Sequence, residues 1–224
     1  MTDLPIIFSG PMIRALLDDR KTQTRRLAWG KPIPGLYESD GGPLTPILRP
    51  SRWQQVKPGN RLWVRESCAA AEDPVSSIDG VRYWADGAWI EIQNTQEAAD
   101  RWAHMAHYRQ APLADDGYGL TVPSIHMPRW ASRLTLVVTE VRRQRLQDIS
   151  EGDAIAEGIV PVTASNGHTT YQLPGLLCGQ TAVRAYKVLW DHLHGAGASD
   201  SNPDVGALTF SVHRCNIDLM EMAA

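Results

Sequence analysis

The stretch Arg133-Leu134-Thr135-Leu136-Val137-Val138-Thr139-Glu140-Val141-Arg142-Arg143-Gln144-Arg145-Leu146 carries the longest strand signal in the chain. Leu134, Leu136 and Val138 alternate with Thr135, Val137 and Thr139, and Glu140 extends the first row. A period of two puts one row against a core and the other away from it. A short helix follows. Ser150 with Asp153 three residues later resembles a capping box, and Gly158 suits the position just past a helix end, so 150–158 reads as about two turns. Thr181 to His194 reads as an amphipathic helix with Val183, Tyr186, Leu189, Trp190 and Leu193 inward. Ala207 to Val212 reads as a closing strand.

Upstream, Pro5 to Phe8 is a short apolar strand. Ser9-Gly10-Pro11 then opens a helix, with proline where a missing N–H costs little. Met12, Ile13, Leu16 and Leu17 form its buried stripe, and Asp18-Asp19 end it. Thr22 to Leu27 reads as a second strand. Residues 28–58 are rich in Pro and Gly and read as a long loop. The turn Lys57-Pro58-Gly59-Asn60 feeds a strand from Arg61 to Glu66, which places Leu62, Val64 and Glu66 on one face. Residues 67–128 read as an elaboration, with a hairpin around Asp86-Gly87 and a helix from Thr95 to His107 carrying Ala98, Trp102 and Met105 on one side. Residues 163–180 read as another loop. This order predicts an α+β chain: a small, mostly antiparallel β-barrel with helices at its rim, a single domain over 1–224 with 67–128 inserted between barrel strands.

Composition bounds the function. The chain has 224 residues, 43% hydrophobic and 21% charged, with a net charge of −3. Contact with nucleic acid is therefore expected to be local rather than spread over a basic surface. No apolar run is long enough to span a membrane, and no signal-peptide core is present at the N-terminus. Cys68, Cys178 and Cys215 are odd in number and scattered, which predicts reduced thiols in a cytoplasm. His104/His107 and His192/His194 are isolated pairs without zinc spacing, and no Walker loop, GxGxxG or GxSxG occurs. No metal or cofactor is expected.

The chemistry concentrates in Arg20-Lys21-Thr22-Gln23-Thr24-Arg25-Arg26. Four cations so close together repel one another unless they face water or gather around something polar or anionic. Two readings fit the spacing. One is a solvated basic turn after a helix. The other is a nucleophilic site, in which a lysine with a lowered pKa takes the proton of a threonine hydroxyl. Strand parity puts Thr22, Thr24 and Arg26 on one face and Lys21 off it, so Lys21 must sit in the turn and reach around to work with Thr24. Glu157 has the same duality. In the last turn of its helix the macrodipole disfavours its charge by roughly 0.3–1 kcal/mol. Spacing alone favours an exposed Glu, and the other reading compensates it with Lys21 or Arg26. Ser124 to Trp130 is dense in groups suited to a base, among them His126 and Arg129. Trp130 is either core packing or a stacking platform.

These blocks together resemble the ASCH domain, a PUA-like β-barrel family, in the longer form found in phage and prophage proteins. The family signature runs Gly-x-Lys, two residues, Glu, one residue, Arg. The frame is filled here by Asp19, Lys21, Thr24 and Arg26. The segments KPGNRLWVRES, SIHMPRWASRLTL and LQDISEGDAIAEGI resemble the longer branch, and together the blocks cover roughly half the chain. Asp19 stands for the signature glycine and Thr24 for the signature glutamate. A bacterial ASCH branch that hydrolyses N4-acetylcytidine has Lys, Thr and Arg in this spacing, with its third catalytic residue a Glu in a short helix after the long strand. Glu157 resembles that position.

The resemblance implies an amidohydrolase acting on N4-acetylcytidine or related N4-acylcytosine nucleosides. Thr24 attacks the amide carbonyl, Lys21 is the base and Glu157 assists. Arg26, Glu66, His126 and Arg129 are the candidates for holding the pyrimidine and ribose, and a small nucleoside is the expected partner. The alternative is an RNA-binding PUA-like module, or a ribonuclease, that uses Arg20, Lys21, Arg25 and Arg26 on phosphates.

Overall fold

The computed structural model describes residues 2–73, 75–108, 119–173 and 179–220. In chain order the elements are β1 (Asp3–Ile7), α1 (Gly10–Leu17), β2 (Gln23–Leu27), β3 (Trp29–Glu38), β4 (Thr45–Pro50), β5 (Arg61–Arg65), β6 (Cys68–Glu72), β7 (Asp79–Tyr83), β8 (Trp89–Glu91), α2 (Gln96–Ala106), β9 (Thr135–Arg145), α3 (Glu151–Ala156), β10 (Val160–Thr163), β11 (Thr169–Gln172), α4 (Ala182–His194) and β12 (Asp204–His213). The chain is α+β with mostly antiparallel pairing. Among the described residues every sheet is open, so the expected closed barrel is not present. No helix among them is long and apolar enough to cross a membrane.

Two compact units emerge. The first comprises 1–18, 61–136 and 212–224. In it β1 runs parallel to β5, from Asp3 opposite Arg61 to Ile7 opposite Arg65. Leu62, Val64 and Glu66 are all buried, as their shared parity requires. The Val64 N–H donates to the Leu134 carbonyl at the start of β9. A second sheet has the order β6-β7-β8, and its β7–β8 hairpin turns at Asp86-Gly87. Gly80 is required in β7, because a β-carbon there would fall 2.2 Å from the Trp89 ring. Helix α2 is capped by Thr95, and Trp102 and Met105 pack against Cys68, Ala70, Val81 and Tyr83. Trp130 packs partly buried against the same core. Cys68 and Cys215 are free thiols, and burial pushes the Cys68 thiol up to about 12. Cys178 lies outside the described residues.

The second unit comprises 19–60 and 137–211. Here β12 lies between β9 and β2, and the antiparallel β12–β2 register sets Thr24 opposite Leu208 and Arg26 opposite Gly206. Helix α3 starts at Ser150, whose hydroxyl accepts from the Asp153 N–H, and Gly158 follows it at φ +102°. Glu151 joins the two helices: its carboxylate accepts from the Ala182 N–H at 2.7 Å, at the positive end of α4.

Three sequence expectations for this unit are corrected. Residues 28–58 are not a loop, because β3 and β4 form a hairpin. It is exposed along nearly its whole length and its register shifts twice, which is how a strand pair accommodates Pro32, Pro34, Pro46 and Pro50. Within 163–180, β11 pairs back on β10 from Thr163 opposite Thr169; 174–178 lie outside the described residues. The buried face of α4 is rotated from the expected one. Ala182 and Ala185 are buried with Tyr186, Leu189 and Trp190, while Val183 is half-buried and Leu193 is 53% exposed.

Candidate active site

The second unit holds Lys21, Thr24, Arg26 and Glu157. Lys21 precedes β2 and is 0% exposed. It sits in the turn, and its ammonium reaches back to the Gln23 carbonyl at 2.8 Å. It also donates to the Glu157 carbonyl at 2.9 Å and to Glu157 Oε2 at 2.7 Å. The backbone prepares this meeting. The Thr22 N–H donates to the Ala156 carbonyl at 2.9 Å, which ties the entry of β2 to the end of α3.

Asp19 forms the turn before Lys21. Its φ is +56°, in the left-handed region that glycine enters freely and aspartate tolerates better than most residues.

Glu157 is 2% exposed, which overturns the reading of a solvated carboxylate. Its charge is offset by Lys21, as one of the two readings required, and by Arg25 in place of Arg26 as the contacting arginine. Arg25 Nη1 lies 3.3 Å from Glu157 Oε1. Arg25 Nη2 donates to Asp153 Oδ2 at 2.8 Å, and Nη1 donates to Gln23 Oε1 at 2.6 Å. The guanidinium carbon lies 5.7 Å from the Tyr186 ring centre. Tyr186 also hydrogen-bonds Glu157, and burial, with the Glu157 charge added, pushes its phenol well above the usual range.

On the other face of β2, Arg26 Nη1 donates to Thr24 Oγ1 at 2.9 Å, the i, i+2 contact that strand parity predicts. Thr24 is 1% exposed. The charge of Arg26 is felt by Lys21, Glu157 and Tyr186, so both faces belong to one electrostatic cluster.

Burial holds the Lys21 ammonium below the usual lysine range. Glu157 opposes this, and Arg26 and Arg25 reinforce it. The Asp153 carboxyl is pushed up by burial, but hydrogen bonds from Arg142 and Gln23 and the Arg25 charge outweigh that and hold it low. Lys21 is thus held by Gln23 and Glu157 on the face that meets α3, and the Thr24 hydroxyl accepts from Arg26 on the opposite face of β2.

The other expected substrate residues lie in the first unit. Both Glu66 oxygens accept from Arg133, at 2.8 and 2.9 Å. Arg129 pairs with Asp3 and Asp218. The His126 ring stands 6.0 Å from that of Tyr108, and both line a cavity of about 670 Å³ with Trp130. A second cavity of about 320 Å³ is lined by Tyr83, Trp130 and Arg133. Neither cavity includes Lys21 or Thr24 among its lining residues.

Sequence reading missed Arg25, Asp153 and Tyr186 as members of the cluster. Arg25 carries a usable signal: it shares the parity of Lys21 and Gln23, and so the face that meets α3. Among the described residues no group of three or more His, Cys, Asp or Glu side chains gathers to hold a metal. Comparison with known proteins finds no family model, no curated protein and no solved structure that matches the chain.

Proposed function

We propose that the chain is an amidohydrolase that removes the acyl group from N4-acetylcytidine or related N4-acylcytosine nucleosides, as its resemblance to the PUA-like ASCH domain implies. The observation that carries this is the burial of Lys21 against Glu157, at 2.7 Å, in one cluster with the Thr24–Arg26 pair. Neutral Lys21 takes the Thr24 Oγ proton as Oγ attacks the amide carbonyl. Arg26, already donating to Oγ, steadies the charge that develops there. Glu157 orients Lys21 and stabilises the ammonium that forms. The ammonium then protonates the departing N4 amine, leaving an acyl ester on Thr24. Lys21 next takes a proton from water, the resulting hydroxide attacks the ester, and Thr24 recovers its proton as the carboxylic acid leaves.

Burial weighs against two of the four cations of the phosphate-binding alternative. Lys21 and Arg25 are 0% and 2% exposed and are committed to Glu157 and Asp153. Phosphate readers need donors that face solvent.

The test is ultraviolet-monitored turnover of N4-acetylcytidine by the wild type beside Lys21→Ala, Thr24→Ala and Glu157→Ala. Loss of the acylcytidine absorbance with the wild type, and none with the folded variants, is expected. A wild type inert across several acyl lengths overturns the proposal.

A further inference from the structure

The 3-10 turn Arg52–Gln55 is pinned to the end of β2. The Ser51 N–H donates to Ala28 O at 2.9 Å, Ser51 Oγ to Leu27 O at 2.6 Å, and Gln54 Nε2 to Ala28 O at 2.6 Å. This holds Trp53 beside Arg26, whose guanidinium carbon is 5.8 Å from the indole centre. The same guanidinium holds Thr24 Oγ1. Behind the turn, the Trp53 carbonyl passes 3.8 Å from the β-carbon position of Gly206, the register partner of Arg26. A tryptophan is thus fixed one side chain away from the candidate nucleophile.

Two further guanidiniums flank it. Arg52 stacks on the indole at 4.6 Å. Arg143 reaches the turn from β9 and donates to Gln54 O at 2.9 Å. Both are exposed, and among the described residues neither has a carboxylate partner. A neutral nucleoside offers these cations nothing. A chain of bases and phosphodiesters offers stacking to the indole and guanidinium planes, and charge to the arginines.

We propose that the substrate is an N4-acylated cytosine within single-stranded RNA, with the nucleotides flanking it lying along Arg52, Trp53 and Arg143. This rests on the amidohydrolase reading above.

The experiment compares kcat/KM for N4-acetylcytidine, its 5′-monophosphate and a short oligoribonucleotide carrying one N4-acetylcytidine, across a salt series. The proteins are the wild type and the Arg52→Gln/Arg143→Gln double variant. The oligonucleotide is expected to exceed the nucleoside by about tenfold or more at low salt. That advantage falls with salt, with a log–log slope of roughly −1.4 for two phosphate contacts on a single strand. The double variant loses most of the advantage. Equal kcat/KM for oligonucleotide and nucleoside overturns the proposal. A monophosphate that gains as much as the oligonucleotide also overturns it, because it assigns one phosphate pocket and no strand.

If the wild type turns over none of the three, the amidohydrolase reading has failed by itself. Fluorescence anisotropy with an unmodified oligonucleotide then decides the surface. Salt-sensitive binding that the double variant loses sustains the strand site, and absence of binding overturns it.

Discussion

The two units each bury a charge cluster, and the clusters differ in balance. In the first, Arg133 faces two carboxylates. It grips Glu66 through both oxygens and Asp86 at 2.9 and 3.0 Å, with its guanidinium carbon 4.2 Å from the Tyr83 ring centre. In the second, Lys21, Arg25 and Arg26 share Glu157 and Asp153, and Arg142 takes part of Asp153. Burial also pushes in opposite chemical senses. It raises Glu66 toward the neutral acid, a shift that Arg133 only partly offsets, and it lowers Lys21 toward the neutral amine. A carboxyl clamped by a bidentate arginine is scaffold. A buried lysine driven toward its free base, in a cluster with excess positive charge and a hydroxyl, is equipped for chemistry.

The comparison breaks first at Thr24. Thr24→Val keeps the shape and removes the hydroxyl, so turnover per folded molecule is expected to fall by on the order of 10⁴. Stability falls by about 0.5–1.5 kcal/mol, because Arg26 Nη1 loses one acceptor and keeps the Arg25 carbonyl at 3.2 Å. Wild-type turnover in this variant moves the nucleophile elsewhere and dissolves the distinction between the clusters. Arg133→Met strikes the other side. It leaves Glu66, 2% exposed, without its cation, and a loss of about 3–5 kcal/mol is expected from urea denaturation. A loss under about 1 kcal/mol removes the argument that this cluster is a scaffold.

Proton linkage sharpens the contrast. Lys21 has its folded pKa below the usual 10.5, so between those two values the folded chain binds fewer protons than the unfolded chain. Stability contributed by this group therefore rises with pH across that window, and the penalty is full below it. Turnover follows the same sense, rising as Lys21 becomes the free base. In Arg25→Met one of the charges pressing Lys21 downward is gone, and Glu157 loses a competitor for its carboxylate. The rising limb of kcat/KM against pH should shift to higher pH. A limb that stays in place assigns the titration to another group.

The scaffold of the second unit was legible because its signals are local. The alternation in Leu134, Leu136 and Val138, the Ser150 cap and Gly158 each act within a few residues and correspond to β9 and α3. The family resemblance, and not the spacing, pointed to Lys21 with Glu157, which meet across 136 positions of sequence. What was not legible depends on packing. Nothing near Glu157 in the chain announces that Arg25 and Tyr186 will close over it, so an isolated helix-end carboxylate reads as solvated. Alanines 182 and 185 displaced the expected Val183 and Leu193 because α3 lies close against α4, where small side chains fit. The β3–β4 hairpin was hidden by its prolines, which mark loops by composition but also occupy exposed strand edges.

Asp19 offers the smallest effect and a direct check on how Lys21 is presented. Its left-handed φ costs an L-residue roughly 1 kcal/mol, less for aspartate than for branched residues. Asp19→Gly relieves that cost but adds chain entropy to the unfolded state, about 0.5–1 kcal/mol in the opposite direction. These two backbone contributions nearly cancel, so the stability change in Asp19→Gly reports the Asp19 side chain, and turnover per folded molecule should hold. Asp19→Val has no such relief. A β-branched residue resists a positive φ, so the turn shifts and carries Lys21 with it. Stability falls by about 1–2 kcal/mol and kcat falls with it, while an arrangement in which Lys21 is only a structural cation lowers stability alone. The pair of variants therefore tests whether the turn at Asp19 exists to aim Lys21, by comparing kcat per folded molecule at matched stability.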